Sequence, residues 1–130
     1  MENLSHLVNR IAASCLPAAF HNQSFFVNDI PADIPVSHNQ EWVASVVSGM
    51  ISTVARSVRN SCIRISANSY GHVTVLEIHD VSTSRIYSMN TALKQWQSLA
   101  QKIGGCLYLN LQRQNENTLS FSFTDLPLAA

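Results

Sequence analysis

Charged side chains are scarce in this sequence. Lysine, arginine, aspartate and glutamate make up 12% of the 130 residues, where about a quarter is usual in soluble domains. The positive and negative charges cancel to a net charge of zero. The chain therefore lacks the basic surface with which proteins bind nucleic acid, and it lacks an acidic tail. We expect no nucleic-acid partner.

Long apolar runs are also absent, although apolar residues make up 46% of the chain. No stretch approaches the roughly 18 residues that are needed to cross a membrane. Residues 1–20 have no basic segment ahead of their apolar residues, so they do not have the pattern of a signal peptide. These features predict a cytoplasmic protein with no membrane partner.

Cysteine occurs only three times, at Cys15, Cys62 and Cys106, and no two cysteines form a C-x-x-C pair. An odd, dispersed set of thiols fits a reduced cytosolic protein better than a disulfide framework or a zinc site. The histidines have no metal-ligand spacing, and no serine lies in G-x-S-x-G. We predict no metal site and no catalytic residue, although a cysteine–histidine pair that meets only in space stays open.

What the sequence does contain is a succession of helical and strand-like periodicities. Apolar residues recur at spacings of three and four in residues 3–19, 39–58 and 90–103, which predicts three helices. We expect Pro17 to end or kink the first helix and Gly104-Gly105 to stop the third. Strand-like patterns cover residues 24–31, 62–68, 72–80, 106–112 and 117–123, and residues 31–36 form a turn-rich crossing.

This order of elements predicts an α+β fold. We expect a two-layer α/β sandwich in which three helices cover one face of a mixed, mostly antiparallel sheet. The sequence has no repeat, linker or low-complexity tract, so residues 1–130 are predicted to form one domain.

Four segments, in this order, resemble the ATP-binding catalytic domain of sensor histidine kinases, whose Bergerat fold is shared with gyrase, Hsp90 and MutL. "VSHNQEWVASVVSGMISTVARSV" resembles the helix of the asparagine box, and "ISANSYGHVTVLEIHD" resembles the hairpin that ends in the aspartate of D-x-G-x-G. "NTALKQWQSLAQKIGGCLYL" resembles the G-L-G-L helix that runs to a Gly-Gly pair, and "NTLSFSFTDLPL" resembles the closing strand. The resemblance covers residues 3–128 and implies a role in bacterial-type two-component signal transduction.

The asparagine box of the family is altered in this chain. Its two asparagines, of which the second holds magnesium against the phosphates in the family, correspond to Gly49 and Thr53. A threonine hydroxyl ligates magnesium more weakly than an amide carbonyl placed for it. Arg56 stands where the family has a lysine or a similar residue near the phosphates, so the positive charge is kept.

The glycine boxes are altered as well. Asp80 corresponds to the aspartate that accepts a hydrogen bond from the adenine amino group in the family, but the glycine two residues later is Ser82. Residues 81–89 stand in place of a longer lid, and the G-x-G glycines at the next helix start become Asn90 and Ala92. Glycine permits close approach of the backbone to a phosphate, and Asn90 suits an N-cap that fills a backbone N–H instead. The resemblance therefore implies a vestigial nucleotide site that is closed.

Three functional hypotheses stay open. The first is a degenerate, pseudokinase-like domain that binds neither ATP nor magnesium and docks onto a protein partner of two-component signalling. The second is a divergent kinase domain that still binds an adenine nucleotide through Asp80. The third is a fragment of a longer sensor protein, with the exposed stripe of helix 3–19 as its docking face. The low charge and high apolar content also indicate a buried interface, such as that of a homodimer.

Overall fold

The computed structural model of the protein describes residues 2–36, 40–79, 86–111 and 117–124, and for residues 2, 86–92, 110, 111 and 117 it describes the backbone alone. The elements in chain order are β1 (Glu2–Asn3), α1 (Leu4–Ser14), α2 (Leu16–His21), β2 (Phe25–Asn28), β3 (Pro35–Val36), α3 (Gln40–Ser57), β4 (Cys62–Tyr70), β5 (Val73–His79), α4 (Ile86–Lys102), β6 (Cys106–Leu111) and β7 (Asn117–Thr124).

Five of the strands form one mixed sheet in the order β2-β4-β5-β7-β6. Among these described strands, the pair β2–β4 is parallel, and the pairs β4–β5, β5–β7 and β6–β7 are antiparallel. The inward face of the central strands carries buried apolar residues, among them Ile65, Leu76 and Phe121. The predicted α+β fold, with helices against a mixed and mostly antiparallel sheet, is confirmed.

Helix α3 is the centre of the helical layer. Its buried side chains recur at helical spacing, and those of Val43, Val47 and Val54 are fully excluded from solvent. This burial outweighs the weak helix propensity of β-branched residues. Because α3 contacts both α1 and α4, it lies between them and fixes the spacing of the layer. None of the helices among the described residues is long and apolar enough to cross a lipid bilayer.

The predicted helix 3–19 is wrong in one respect, because it is two helices. Helix α1 ends at Ser14, and Cys15 has a non-helical backbone (φ −98°, ψ 0°) before α2 begins. Pro17 lies in the first turn of α2, where its missing N–H costs no intrahelical hydrogen bond. The proline therefore starts a helix after the break, and the helical layer has four described helices in place of the predicted three.

The crossing predicted at residues 31–36 contains an additional strand. Strand β3 pairs antiparallel with β1, so that Glu2 lies opposite Val36 and Asn3 opposite Pro35. The same Asn3 caps α1, since its side-chain oxygen accepts a hydrogen bond from the backbone N–H of His6 at 2.8 Å. This small sheet ties the entry of the chain to the segment that leads into α3.

Helix α4 ends as the sequence predicts. Gly104 adopts φ +72° and its N–H donates to the Gln101 carbonyl at 3.1 Å, while the Gly105 N–H donates to the Ala100 carbonyl at 2.9 Å. These two bonds define a Schellman motif, in which a left-handed residue directs the chain out of the helix. The motif turns the chain back into β6 at the edge of the sheet.

Candidate functional site

The positions that correspond to the family's nucleotide boxes belong to three neighbouring elements. Gly49 and Thr53 are four residues apart on α3, so they share one helix face, and at Gly49 that face contacts α4. Asp80 follows the last residue of β5 directly, and α4 begins at Ile86. A ligand that reaches Gly49 would have to lie between α3 and α4.

The indole ring of Trp96, on α4, lies directly against the backbone of α3 at Gly49. A Cβ built on Gly49 would overlap the Cγ, Cδ2 and Cε2 atoms of the ring. Gly49 is buried, and Trp96 is half-buried against the core. The position of the family's first asparagine is therefore covered by an aromatic side chain, and asparagine could replace Gly49 only if the indole moved.

The position of the family's magnesium asparagine is also enclosed. Thr53 is only 3% exposed, so its side chain is packed inside the helical layer and does not line either groove of the outer surface. One turn later, Arg56 is exposed, but its guanidinium folds back onto its own helix. Its Nε donates to the Ser52 carbonyl at 3.3 Å, and its Nη2 donates to Ser52 Oγ at 3.2 Å. Arg56 thus has a local partner, and no described anion site draws it away from α3.

The remaining predicted site residues are described in part or not at all. Asp80 and Ser82 lie outside the described residues. The backbones of Asn90 and Ala92 lie inside α4, which begins at Ile86. The prediction that Asn90 is the N-cap is therefore wrong, because four helical residues precede it. The interval between Asp80 and the helix shrinks accordingly from nine residues to five, residues 81–85.

The outer surface of the helical layer carries two adjoining grooves. One, of about 500 Å³, runs between α1, α3 and α4, where small α3 residues such as Ala44 and Ser48 leave space beside Trp96. The other, of about 800 Å³, lies at the start of α3 and includes Trp42, which is 41% exposed. Arg10 of α1 borders both grooves. Together they form a shallow, mostly uncharged surface along α1 and α3 that could receive another protein.

The opposite face of the sheet carries a polar pair that the sequence analysis missed. Ser66 of β4 and His79 of β5 are both half-buried, and Ser66 Oγ lies 2.7 Å from His79 Nε2. Glu77 is the direct cross-strand partner of Ser66, and Arg64 is that of His79. The alternation of β4 and β5 did carry the signal, since all four residues fall on the outward phase of the hairpin. The distance is that of a nucleophile and its base, and equally that of an ordinary surface hydrogen bond.

No described cluster of side chains has the composition of a metal centre. Among the described ranges, no three histidine, cysteine, aspartate or glutamate side chains lie close enough together to hold an ion. Cys15, Cys62 and Cys106 are all free thiols at separate places in the fold.

The fold is that of the ATP-binding catalytic domain of histidine kinases. The histidine kinase AdeS of Acinetobacter baumannii has a TM-score of 0.77 and 11% identity, over 95% of this chain and 65% of that chain. The catalytic domain of histidine kinase ThkA has a TM-score of 0.74 and 11% identity, over 97% of this chain and 96% of that domain. At such identities the likeness concerns the fold alone.

Two further structures show the settings in which this fold occurs. Full-length ShkA was solved in complex with AMPPNP, and this chain spans only 30% of it. ThkA was also solved in complex with the response regulator TrrA, and this chain spans 41% of that kinase, at a TM-score of 0.74. The chain thus spans less than two thirds of AdeS and of ShkA. No protein-family model matches the sequence, and no curated protein matches it.

Proposed function

We propose that this chain is a histidine-kinase-like ATPase domain that has lost nucleotide binding and acts as a non-catalytic protein-interaction module in two-component signalling. The proposal includes a single domain over residues 1–130 and a cytoplasmic location, for which the dispersed free thiols are the support. In this sense the chain is a pseudokinase, which keeps the kinase fold, has lost nucleotide binding and acts by binding another protein.

The observation that carries the proposal is the contact of Trp96 with Gly49. In the histidine kinases that this chain resembles, the asparagine-box positions face the phosphates and their magnesium ion. Here one position is glycine beneath an indole ring, and the other is the enclosed Thr53. A nucleotide phosphate needs free donors and a hydrated cation at this place, and the two positions offer an indole ring and an enclosed side chain instead.

The partner that we propose is a signalling protein such as a response regulator. ThkA was solved with a response regulator, and this chain has the fold of the ThkA catalytic domain. The apolar stripe of α1 is not exposed, because Leu4, Leu7 and Val8 are buried in the core. The docking face would instead be the polar side of α1 together with the grooves beside α3, where Arg10 and Trp42 are accessible. Arginine and tryptophan are the residues that most often dominate the energy of protein interfaces.

A divergent domain that still binds adenine through Asp80 is the second candidate. The observation in its favour is the position of Asp80 directly after β5, at the end of the hairpin that resembles the family's. This candidate predicts that ATP or ADP raises the melting temperature and that Asp80→Asn abolishes the effect.

Calorimetric titration of the full chain with ATP and ADP, each with and without magnesium, decides between the two candidates. We expect no binding heat and no shift in melting temperature. Micromolar binding that Asp80→Asn removes would overturn the proposed loss of nucleotide binding and support the second candidate.

The interaction half of the proposal has its own test. Purified receiver domains of response regulators from the same organism are titrated against the chain. We expect at least one to bind, Arg10→Glu to weaken that binding, and Tyr70→Lys to leave it unchanged, because Tyr70 is exposed on β4 in the sheet, away from α1. Failure of all receiver domains to bind would contradict the signalling role.

A further inference from the structure

Strand β6 lies at one edge of the five-stranded sheet. It pairs with β7 on one side only, over Cys106–Leu111. On its other side, among the residues that the structure describes, a single side chain reaches the strand: Gln97 Nε2 donates to the Leu107 carbonyl at 3.3 Å. Most of the outward backbone groups of β6 therefore have no described protein partner.

The contacts of β6 also indicate which of its residues direct their backbone groups away from β7. In an antiparallel pair, alternate residues direct both their N–H and their C=O toward the partner strand or away from it. The Ser122 carbonyl of β7 lies against Gly105 and therefore points toward β6. Its partner Cys106, and with it Tyr108, thus bonds to β7. Leu107 and Leu109 then direct their backbone groups away from β7, in agreement with the Gln97 bond to the Leu107 carbonyl. The edge thus offers the Leu107 N–H and both polar backbone groups of Leu109 at regular spacing.

Nothing in the sequence of β6 protects this edge. Sheet proteins commonly blunt an edge strand with lysine, proline or a bulge, and Cys106–Leu111 contains no charged residue and no proline. The opposite edge differs. Strand β2 has only four residues, and it is followed by Asp29, which pairs with Arg64, and by Pro31.

We propose that β6 pairs antiparallel with β6 of a second copy of this chain, which joins two five-stranded sheets into one. A second copy is the favoured partner because the side chains on the solvent-exposed face of the strand, those of Cys106 and Tyr108, are uncharged, so self-pairing brings no like charges together. Pairing through the same strand of both copies is a two-fold contact that closes on itself, whereas the charged β2 edge disfavours an open β6–β2 chain. The pairing satisfies the outward groups of Leu109, and it does not depend on the proposed loss of nucleotide binding.

The first test measures mass. Sedimentation equilibrium is run on the Cys106→Ser chain, so that no disulfide links two copies, between about 10 μM and about 500 μM, because a dimer forms by mass action. We expect the mass to rise from 14.4 kDa toward twice that value. Tyr108→Lys should hold the chain at the monomer mass across this range, since the pair would bring two lysines near each other on one face of the joined sheet, as direct or diagonal neighbours. Tyr70→Lys should leave the dimer intact. A monomer at all concentrations, or equal loss of dimer in both variants, would overturn the proposal.

The second test reads the strand itself. Amide hydrogen exchange is followed at Leu109, whose N–H faces outward, and at Tyr108, whose N–H faces β7. We expect the Leu109 exchange rate to fall at least tenfold on concentration, while that of Tyr108 stays constant. Protection of Leu109 that is independent of concentration would show that the chain's own residues cover the edge, and fast exchange at every concentration would show that nothing does. Either result contradicts the proposed pairing.

Discussion

Gly49 on α3 lies directly beneath the indole ring of Trp96 on α4, so closely that a Cβ at position 49 would overlap three atoms of the ring. The two residues form a small-to-large pair that sets how near the two helices approach. Because glycine costs an α-helix about 0.5–1 kcal/mol relative to alanine, its presence in the middle of α3 implies a compensating contact, and the indole supplies it.

Alanine at position 49 should therefore destabilise the fold. We expect Gly49→Ala to cost about 1–3 kcal/mol from overpacking, partly offset by the gain in helix propensity. In a Trp96→Ala background the sign should reverse, and the same substitution should stabilise by about 0.5–1 kcal/mol because only the propensity term remains. Urea denaturation of the four chains measures both effects. Glu41→Ala, exposed in the first turn of the same helix and outside the groove that Trp96 borders, is the control and should have the same effect in both backgrounds.

Sequence periodicity predicts which face of a helix is buried, but it does not predict which other residues that face contacts. The periodicity of α3 gave residues 39–58, and the observed helix is Gln40–Ser57, because a buried stripe repeats at the helical period along its whole length. The same pattern put Trp96 on the buried face of α4. It could not assign Trp96 to Gly49, since that contact joins two helices far apart in the chain.

The predicted bounds of several helices and strands are wrong where the local sequence pattern does not reflect the packing. The apolar stripe of residues 3–19 continues in phase across Cys15, so periodicity alone did not show the break between α1 and α2. Strand β3 has two residues, one of them proline, which is too short for any alternation. The sequence pattern starts helix α4 four residues late, at residue 90, because the apolar stripe that predicts it is traced only from Leu93 onward.

The two glycines after α4 should respond differently to alanine. Gly104 has φ +72° with open space around its Cβ position, so Gly104→Ala should cost about 1–2 kcal/mol through the left-handed backbone alone. Gly105 has no positive φ, but a Cβ there would overlap the Ser122 carbonyl of β7. Gly105→Ala should cost about 2–3 kcal/mol, because the backbone of β7 or of residue 105 would have to shift to relieve the overlap. Gly71, at φ +65° in open space, is the control and should match Gly104. Equal losses at Gly104 and Gly105 would show that the β7 contact is relieved cheaply.

The ion pair on the open face of the sheet should contribute little. Arg64 Nε lies 3.2 Å from Asp29 Oδ2, and the two side chains are 55% and 47% exposed. Exposed pairs of this kind are worth about 0.2–1 kcal/mol. A double-mutant cycle with Arg64→Gln and Asp29→Asn should give a coupling in that range, and it should vanish at about 1 M salt, where the Debye length is about 3 Å. A coupling that survives high salt would mean that the pair is shielded from solvent.

The hydrogen bond between Ser66 and His79 could be structural or could activate the serine, and experiment distinguishes these two roles. A structural bond at 2.7 Å should couple the two residues by about 0.5–1.5 kcal/mol in a cycle of Ser66→Ala and His79→Ala, measured by urea denaturation. Asn68→Ala, exposed on β4, should show no coupling to His79 because Asn68 lies opposite Val75.

A serine that His79 activates would in addition react with a fluorophosphonate and lose that reactivity in His79→Ala. We expect the coupling without the labelling. Ser66 and His79 lie on an open sheet face beside Arg64 and Glu77, and on such a face their bond stabilises the hairpin. Labelling of Ser66 that depends on His79 would instead assign the open face a chemical role.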